Sequence, residues 1–265
     1  MRITIIGCGN MGDAIARGLV KGTIVKASDI TAIDVRQEPL NALKAFAPEI
    51  NTEFNSFESL PKANIIILAL KPWMIQSTIE NIKSKINYSS QILVSIAAGV
   101  TIAEINESLK KASESHELPT LFRVIPNTAI AVRESMSLIS TNNATSEQKD
   151  LLLKIFNELG KAVIIDESKL ANGLSLTSCG IAYMFRHVRA AIQAGVEMGF
   201  YPKEAQDLIV HTMKGAAELL LQTEANPEEE IDKVTTPGGV TIKGLNEMEA
   251  NGFSNAVIKG LKANL

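Results

Sequence analysis

The chain has 265 residues, 46% of them hydrophobic, 21% charged and only 5% aromatic, with a formal net charge of −3. Such a length suits one large domain with a smaller one, and aliphatic side chains must do most of the packing. The small negative charge gives no reason to expect a nucleic-acid or anionic-membrane partner. The two cysteines, Cys8 and Cys179, exclude a disulfide framework, and no C-x-x-C or Cys/His cluster points to a metal.

From the N-terminus, Gly7 and Gly9 interrupt the first apolar stretch too early for a signal peptide. The longest strictly apolar run, Ile65–Leu70, falls far short of the roughly 20 residues needed to cross a bilayer. The expectation is a cytoplasmic protein with no membrane or nucleic-acid partner. Strand patterns follow at Ile3–Ile6, Ile30–Asp34, Asn64–Leu70, Ile92–Ser95, Thr120–Ile125, Met136–Ser140 and Ala162–Asp166. Helix-length patterns such as Met11–Lys21, Pro39–Ala47 and Ser146–Leu159 lie between several of them. Continuous Ile/Val/Leu strands separated by helices predict a parallel, doubly wound α/β sheet covered on both faces.

After Asp166 the texture changes to Ala-rich helical patterns: Thr177–Met198, Pro202–Gln222, Glu228–Val234, Val240–Asn251 and Phe253–Ala263. Pro202, Pro227 and Pro237 stand where first helical turns would begin, and Glu228–Glu230 reads as a solvated helix start. This predicts an N-terminal α/β domain over 1–165 and an all-α domain over 166–265. Ala182, Ala190, Ala191, Ala194, Gly195 and Gly199 put small residues on one helix face. That face serves packing within the domain or, as we expect for so much apolar helix surface, a contact between subunits.

Gly7, Cys8, Gly9, Asn10, Met11 and Gly12 form a G-x-G-x-x-G between the first strand and a helix. In such a loop the first glycine makes the tight turn and the second admits a pyrophosphate to the helix N-terminus. The third permits close helix–strand packing. Asp34 ends the next strand about 20 residues beyond the last glycine, where an acid accepts from the adenosine ribose hydroxyls. The motif therefore predicts a Rossmann-type domain holding a nicotinamide dinucleotide. Asp34 favours NAD, whereas Arg36 is placed to stack on adenine or meet a 2′-phosphate, so NADPH and NADH both stay open. Cys8 reads as a small residue tolerated in the loop.

Further loops follow the other strands. Ala69, Leu70, Lys71 and Pro72 close a very apolar strand, with Lys71 in reach of ribose or phosphates. Ser95 to Gly99 is built of small residues against which a flat ring can lie. Asn127, in Arg123-Val-Ile-Pro-Asn-Thr128, either orients a ligand or forms an Asx turn. In the helical part, Thr235 to Thr241 sets two glycines between threonines ahead of a helix, a nest for a small carboxylate. Reduction of a carbonyl needs a proton donor such as His or Lys. His116, His187 and His211 all lie away from the glycine-rich loops. An imine differs, because its nitrogen is basic and can arrive protonated, leaving the protein to orient it and offer a hydroxyl such as that of Thr241.

These residues resemble the pyrroline-5-carboxylate reductase family across essentially the whole chain. The resemblance rests on Ile6 to Gly12, Leu68 to Pro72, Val94 to Ile102, Arg123 to Thr128, Asn251 to Phe253 and above all Val234 to Ile242. It implies reduction of 1-pyrroline-5-carboxylate to L-proline, the last step of proline biosynthesis, by NADPH or NADH. It also implies a helical domain that forms a homodimer, often a pentamer of dimers. Carried over by position, the cofactor contacts are Ile6, Gly7, Cys8, Gly9, Asn10, Met11, Gly12, Asp34, Ser56, Ala69, Leu70, Lys71, Pro72, Ile96, Ala97 and Ala98. Substrate contacts are Glu224, Thr236, Gly238, Gly239, Val240 and Thr241, with Thr241 catalytic at the imine nitrogen. The family's Ser-Gly-Ser-Gly-Pro-Ala-Tyr reads Thr177-Ser-Cys-Gly-Ile-Ala-Tyr183 here, and Asn-Thr-Pro becomes Asn127-Thr-Ala129. A reductase of a related cyclic imino acid and a non-catalytic dinucleotide-binding regulator are the alternatives. A β-hydroxyacid dehydrogenase-like enzyme would want a helix lysine, and none lies in Cys179–Met198.

Overall fold

Backbone pairing in the computed structural model, which describes residues 1–110 and 118–265, joins eight strands into one sheet. They are β1 (Ile3–Ile6), β2 (Ile30–Asp34), β3 (Asn51–Phe54), β4 (Ile65–Leu68), β5 (Ile92–Ser95), β6 (Thr120–Ile125), β7 (Ser135–Ser140) and β8 (Gly160–Ile164). Their spatial order is β3-β2-β1-β4-β5-β6-β7-β8. Helices α1 (Asn10–Val20), α2 (Gln37–Phe46), α3 (Ile75–Ile82), α4 (Ile102–Leu109) and α5 (Ser146–Asn157) connect them. α6 (Leu170–Leu174) and a π-helical turn, Ser175–Cys179, follow the last strand.

The continuous apolar character of the strands has a direct cause, because both faces are covered. Ile3, Ile5, Ala32, Ile67 and Val94 pack with Ile15 and Leu19 of α1, Leu40 and Leu43 of α2, and Ile155 and Phe156 of α5. On the opposite face Ile6, Ile33, Ile66, Leu68 and Leu93 meet Ile75, Ile79 and Ile82 of α3 and Ile102, Ile105 and Leu109 of α4. Each fully buried aliphatic side chain of this kind contributes roughly 1.5–3 kcal/mol.

The sheet is not wholly parallel: β7 runs antiparallel to β6, with Val124 opposite Ile139. Only nine residues, 126–134, separate the two strands, too few for the crossover of a dozen or more that a parallel neighbour requires. β8 then pairs parallel with β7. The strands written above as Asn64–Leu70 and Ala162–Asp166 pair only over Ile65–Leu68 and Gly160–Ile164.

The chain divides into two compact units, Met1–Ser178 and Cys179–Leu265. The second consists of α7 (Gly180–Glu197), α8 (Pro202–Thr223), α9 (Pro227–Val234), α10 (Val240–Ala250) and α11 (Phe253–Lys262). Pro202 and Pro227 open their helices. Pro237 does not: α10 starts three residues later because Gly238 takes a left-handed turn, φ 71°. Within this unit a Cβ at Gly195 would stand 2.7 Å from the Ala205 methyl, so small residues do bring α7 and α8 together. Ala182, Ala190 and Ala194 remain exposed. Of the 22 residues of α8 only Ala205 is buried, while Phe185 on α7 and Leu221 on α8 are 63% and 76% exposed. Apolar helix surface on this scale marks an interface.

Candidate active site

In a doubly wound sheet a ligand crevice opens where the strand order reverses, outside the strand carboxyl ends. Here the reversal lies between β1 and β4, both paired in parallel to full length. The loops after β1, β2, β4 and β5 therefore share one edge of the first unit. They carry the glycine loop, Asp34, Ala69–Pro72 and Ile96–Ala98.

The glycine loop is defined by contacts that side chains would break. Gly7 has φ 95°, and a Cβ there would sit 2.5 Å from the Ala69 carbonyl oxygen. At Gly12 it would sit 1.9 Å from the Gly7 oxygen. Gly9 differs, since nothing lies within 4 Å of a Cβ built there. Gly9 is also the N-cap of α1 and offers no side-chain cap, so the first amides of the helix face open space. A bare, amide-lined cradle of this kind fits a dinucleotide pyrophosphate.

Asp34 is 7% exposed and accepts from the Cys8 amide at 2.6 Å and the Arg36 amide at 2.8 Å. Its carboxylate thus braces the glycine loop besides standing at the end of β2. Asp34→Ser is expected to weaken NADH and NADPH together, NADH more. The shared loss is about tenfold, from one charge-assisted hydrogen bond. Dissociation constants for both cofactors check this: an unchanged ratio would confine Asp34 to bracing, and undiminished NADPH affinity would remove the brace.

Cys8 is 3% exposed and its thiol donates to the Ile33 carbonyl at 3.6 Å. Burial, with the charges of Asp34 and Asp13, pushes its pKa up to about 12, so it is inert as a nucleophile. Ser56 follows Asn55, whose φ of 47° turns the chain at the end of β3. Lys71 is exposed. Of the turn after β5, Ala97 is buried and Ala98 exposed.

Asn127 forms the Asx turn: its Oδ1 accepts from the Ala129 amide at 3.1 Å, and its Nδ2 donates to the Thr177 carbonyl at 3.4 Å. Sequence reasoning missed Glu167. It accepts from the Arg123 guanidinium at 2.5 Å and the Ile102 amide at 2.7 Å, partners no local pattern reveals.

In the second unit, Gly238 and Gly239 precede α10, whose N-cap, Gly239, again has no side-chain cap. A Cβ at Gly239 would meet the Thr236 hydroxyl oxygen at 2.6 Å. Thr236, Val240 and Thr241 are exposed around this uncapped helix start. Glu224 ends α8 in a left-handed conformation, φ 53°. His187 packs edge-on to Phe253, and His211 bonds the Asp207 carbonyl oxygen at 2.8 Å; His116 lies outside the described residues. No cluster of metal-ligating side chains occurs among the described residues, and no described helix is long and apolar enough to cross a membrane.

A family model for pyrroline-5-carboxylate reductase dimerisation matches residues 167–265, and one for NADP oxidoreductases, coenzyme F420-dependent, matches residues 2–99. Pyrroline-5-carboxylate reductase 2 of Dictyostelium discoideum is 36% identical over 98% of this chain and 89% of its own length. Pyrroline-5-carboxylate reductase 1 of the same organism is 36% identical over 98% of this chain, but the chain spans only 48% of that protein. A Plasmodium falciparum pyrroline carboxylate reductase solved with NADP bound superposes with a TM-score of 0.86 at 26% identity, over 100% of this chain and 95% of that one. With uncapped glycine-rich helix starts in both units and relatives similar along nearly its whole length, the chain belongs to the pyrroline-5-carboxylate reductase family.

Proposed function

We propose that this protein reduces 1-pyrroline-5-carboxylate to L-proline with NADPH or NADH. The observation that carries the reading is the start of α10. Its amides are uncapped behind Gly238 and Gly239, with the Thr236 and Thr241 hydroxyls alongside and no strong acid in the turn. Such a site holds a carboxylate and suits a substrate that needs no proton from the protein.

When bound, the reduced nicotinamide supplies a hydride. Gly7 to Gly12 bind the pyrophosphate at the N-terminus of α1, and Asp34 and Ser56 hold the adenosine ribose. Ile6, Ala69, Leu70, Lys71 and Pro72 line the middle of the dinucleotide, with Ile96, Ala97 and Ala98 beside the ring. In the helical unit the amides of Val240 and Thr241, admitted by Gly238 and Gly239, and the Thr236 hydroxyl hold the substrate carboxylate. Glu224 lies by the substrate ring. The protonated imine donates its N–H to the Thr241 hydroxyl oxygen, which orients the carbon to be reduced. Residues 1–165 carry the dinucleotide function and 166–265 the substrate and dimerisation functions of a cytoplasmic homodimer or pentamer of dimers, with 166–178 packed as part of the first compact unit.

Mixing the protein with pyrroline-5-carboxylate and each reduced cofactor tests the proposal through loss of reduced-nicotinamide absorbance and appearance of proline. Tight cofactor binding without oxidation would replace it with a non-catalytic regulator. A second reading, reduction of a related cyclic imino acid, draws on the π-helical turn Ser175–Cys179 and on Ile181 in the segment that departs from the family pattern. A six-membered cyclic imino acid in the same assay separates the two.

A further inference from the structure

The carboxylate of Glu167 joins three parts of the first unit. One oxygen, Oε1, accepts both the Ile102 amide at 2.7 Å and the Arg123 guanidinium at 2.5 Å. Ile102 is the first residue of α4, and α4 begins where the Ile96–Val100 turn ends. Arg123, 6% exposed, lies on β6 directly beside Ser95, the last residue before that turn. Ser95 is 1% exposed, and its Oγ accepts the Ala97 amide at 3.4 Å. The turn is thus pinned at its entrance by Ser95 and at its exit by Thr101, whose capping box with Glu104 starts α4. Glu167 ties that exit back to the strand flanking the entrance. Between the pins, Ala98 and Gly99 are exposed, and Gly99 has φ 81°.

We propose that Glu167 is a positioning residue that, through Arg123 and the Ile102 amide, sets the Ile96–Val100 turn against the nicotinamide half of the dinucleotide. The proposal rests on the cofactor placement given above. A buried arginine and a shared carboxylate oxygen are an unusual provision for a surface turn, because desolvating a guanidinium is costly unless it is well paired. Arg123 even keeps its Nε buried without a hydrogen-bond partner. That cost is understandable if the turn must hold one conformation, since small misplacements of reacting groups lower turnover steeply.

The test separates the two halves of the cofactor. Dissociation constants are measured for NADPH and NADH and for the corresponding fragments without nicotinamide, 2′-phospho-ADP-ribose and ADP-ribose. Turnover is measured with pyrroline-5-carboxylate. Glu167→Ala is expected to leave fragment affinity within about twofold of the parent, to weaken the whole dinucleotide several-fold and to lower kcat roughly tenfold. Glu167→Gln keeps an acceptor for the Ile102 amide and is expected to restore most of kcat. Glu167→Asp, too short to reach both partners, serves as the second variant if Ala does not fold and is expected to show the same split between fragment and dinucleotide. A parallel fall in fragment and dinucleotide affinity would reduce Glu167 to a stabilising role and overturn the proposal, as would unchanged kcat and affinities. If the parent protein oxidises no cofactor, the substrate assignment fails, while the ratio of dinucleotide to fragment affinity still decides the role of Glu167.

Discussion

Gly12→Ala is expected to raise the dissociation constant for NADPH and NADH by more than about 100-fold and to cost roughly 1–3 kcal/mol of stability, the usual penalty of overpacking. The new methyl would lie 1.9 Å from the Gly7 carbonyl oxygen and 3.1 Å from the Ala69 Cβ. The first obstacle is backbone and has no rotamer to escape into, so α1 must move away from the turn that feeds it. That movement displaces the amides on which the pyrophosphate sits. Gly9→Ala supplies the contrast. Its Cβ meets nothing within 4 Å, so thermal stability should stay near that of the parent while dinucleotide affinity still falls, because the methyl occupies the phosphate's space. Calorimetric binding and thermal melts of both variants check the pair. Parent-like affinity in Gly9→Ala would mean that the cradle is not where the phosphates lie.

The contrast between the two glycines was partly legible before any fold was known. A G-x-G-x-x-G after a strand announces its own mechanism, and the β-rich runs announced most of the sheet. β3 escaped because Asn51–Phe54 is an edge strand, paired only to β2 and buried at none of its four residues. Nothing selects apolar side chains there, and the run looks like a loop. The direction of β7 escaped for another reason: strand composition carries no polarity, and only the nine-residue connection sets it. The Asp34 brace needed the register of β1 on β2, which brings Ile6 beside Ile33 and the Cys8 amide to the carboxylate. Glu167 was invisible because its partners lie 44 and 65 residues away in the chain. The turn before α10 was readable because paired glycines between threonines exceed what a helix cap requires. Its proline misled, since a left-handed Gly238 delays the helix.

That turn carries the second large prediction. Thr241→Ala is expected to lower kcat for pyrroline-5-carboxylate roughly 10²-fold, the usual effect of removing one well-placed hydrogen-bonding group from a reacting centre. Dinucleotide affinity should stay near that of the parent, because Thr241 belongs to the helical unit and every cofactor contact assigned above belongs to the other. Thr241 is the second residue of α10 and exposed, so losing its hydroxyl removes little packing and should barely change stability. The amide of residue 241 survives in the alanine variant. Carboxylate binding should therefore weaken less than turnover, and the loss should fall on kcat more than on KM. Thr241→Ser, which keeps the hydroxyl, should recover most of the rate. If Thr241→Ala turned over at the parent rate, the hydroxyl would have no part in orienting the imine, and the amides at the start of α10 alone would have to align the substrate.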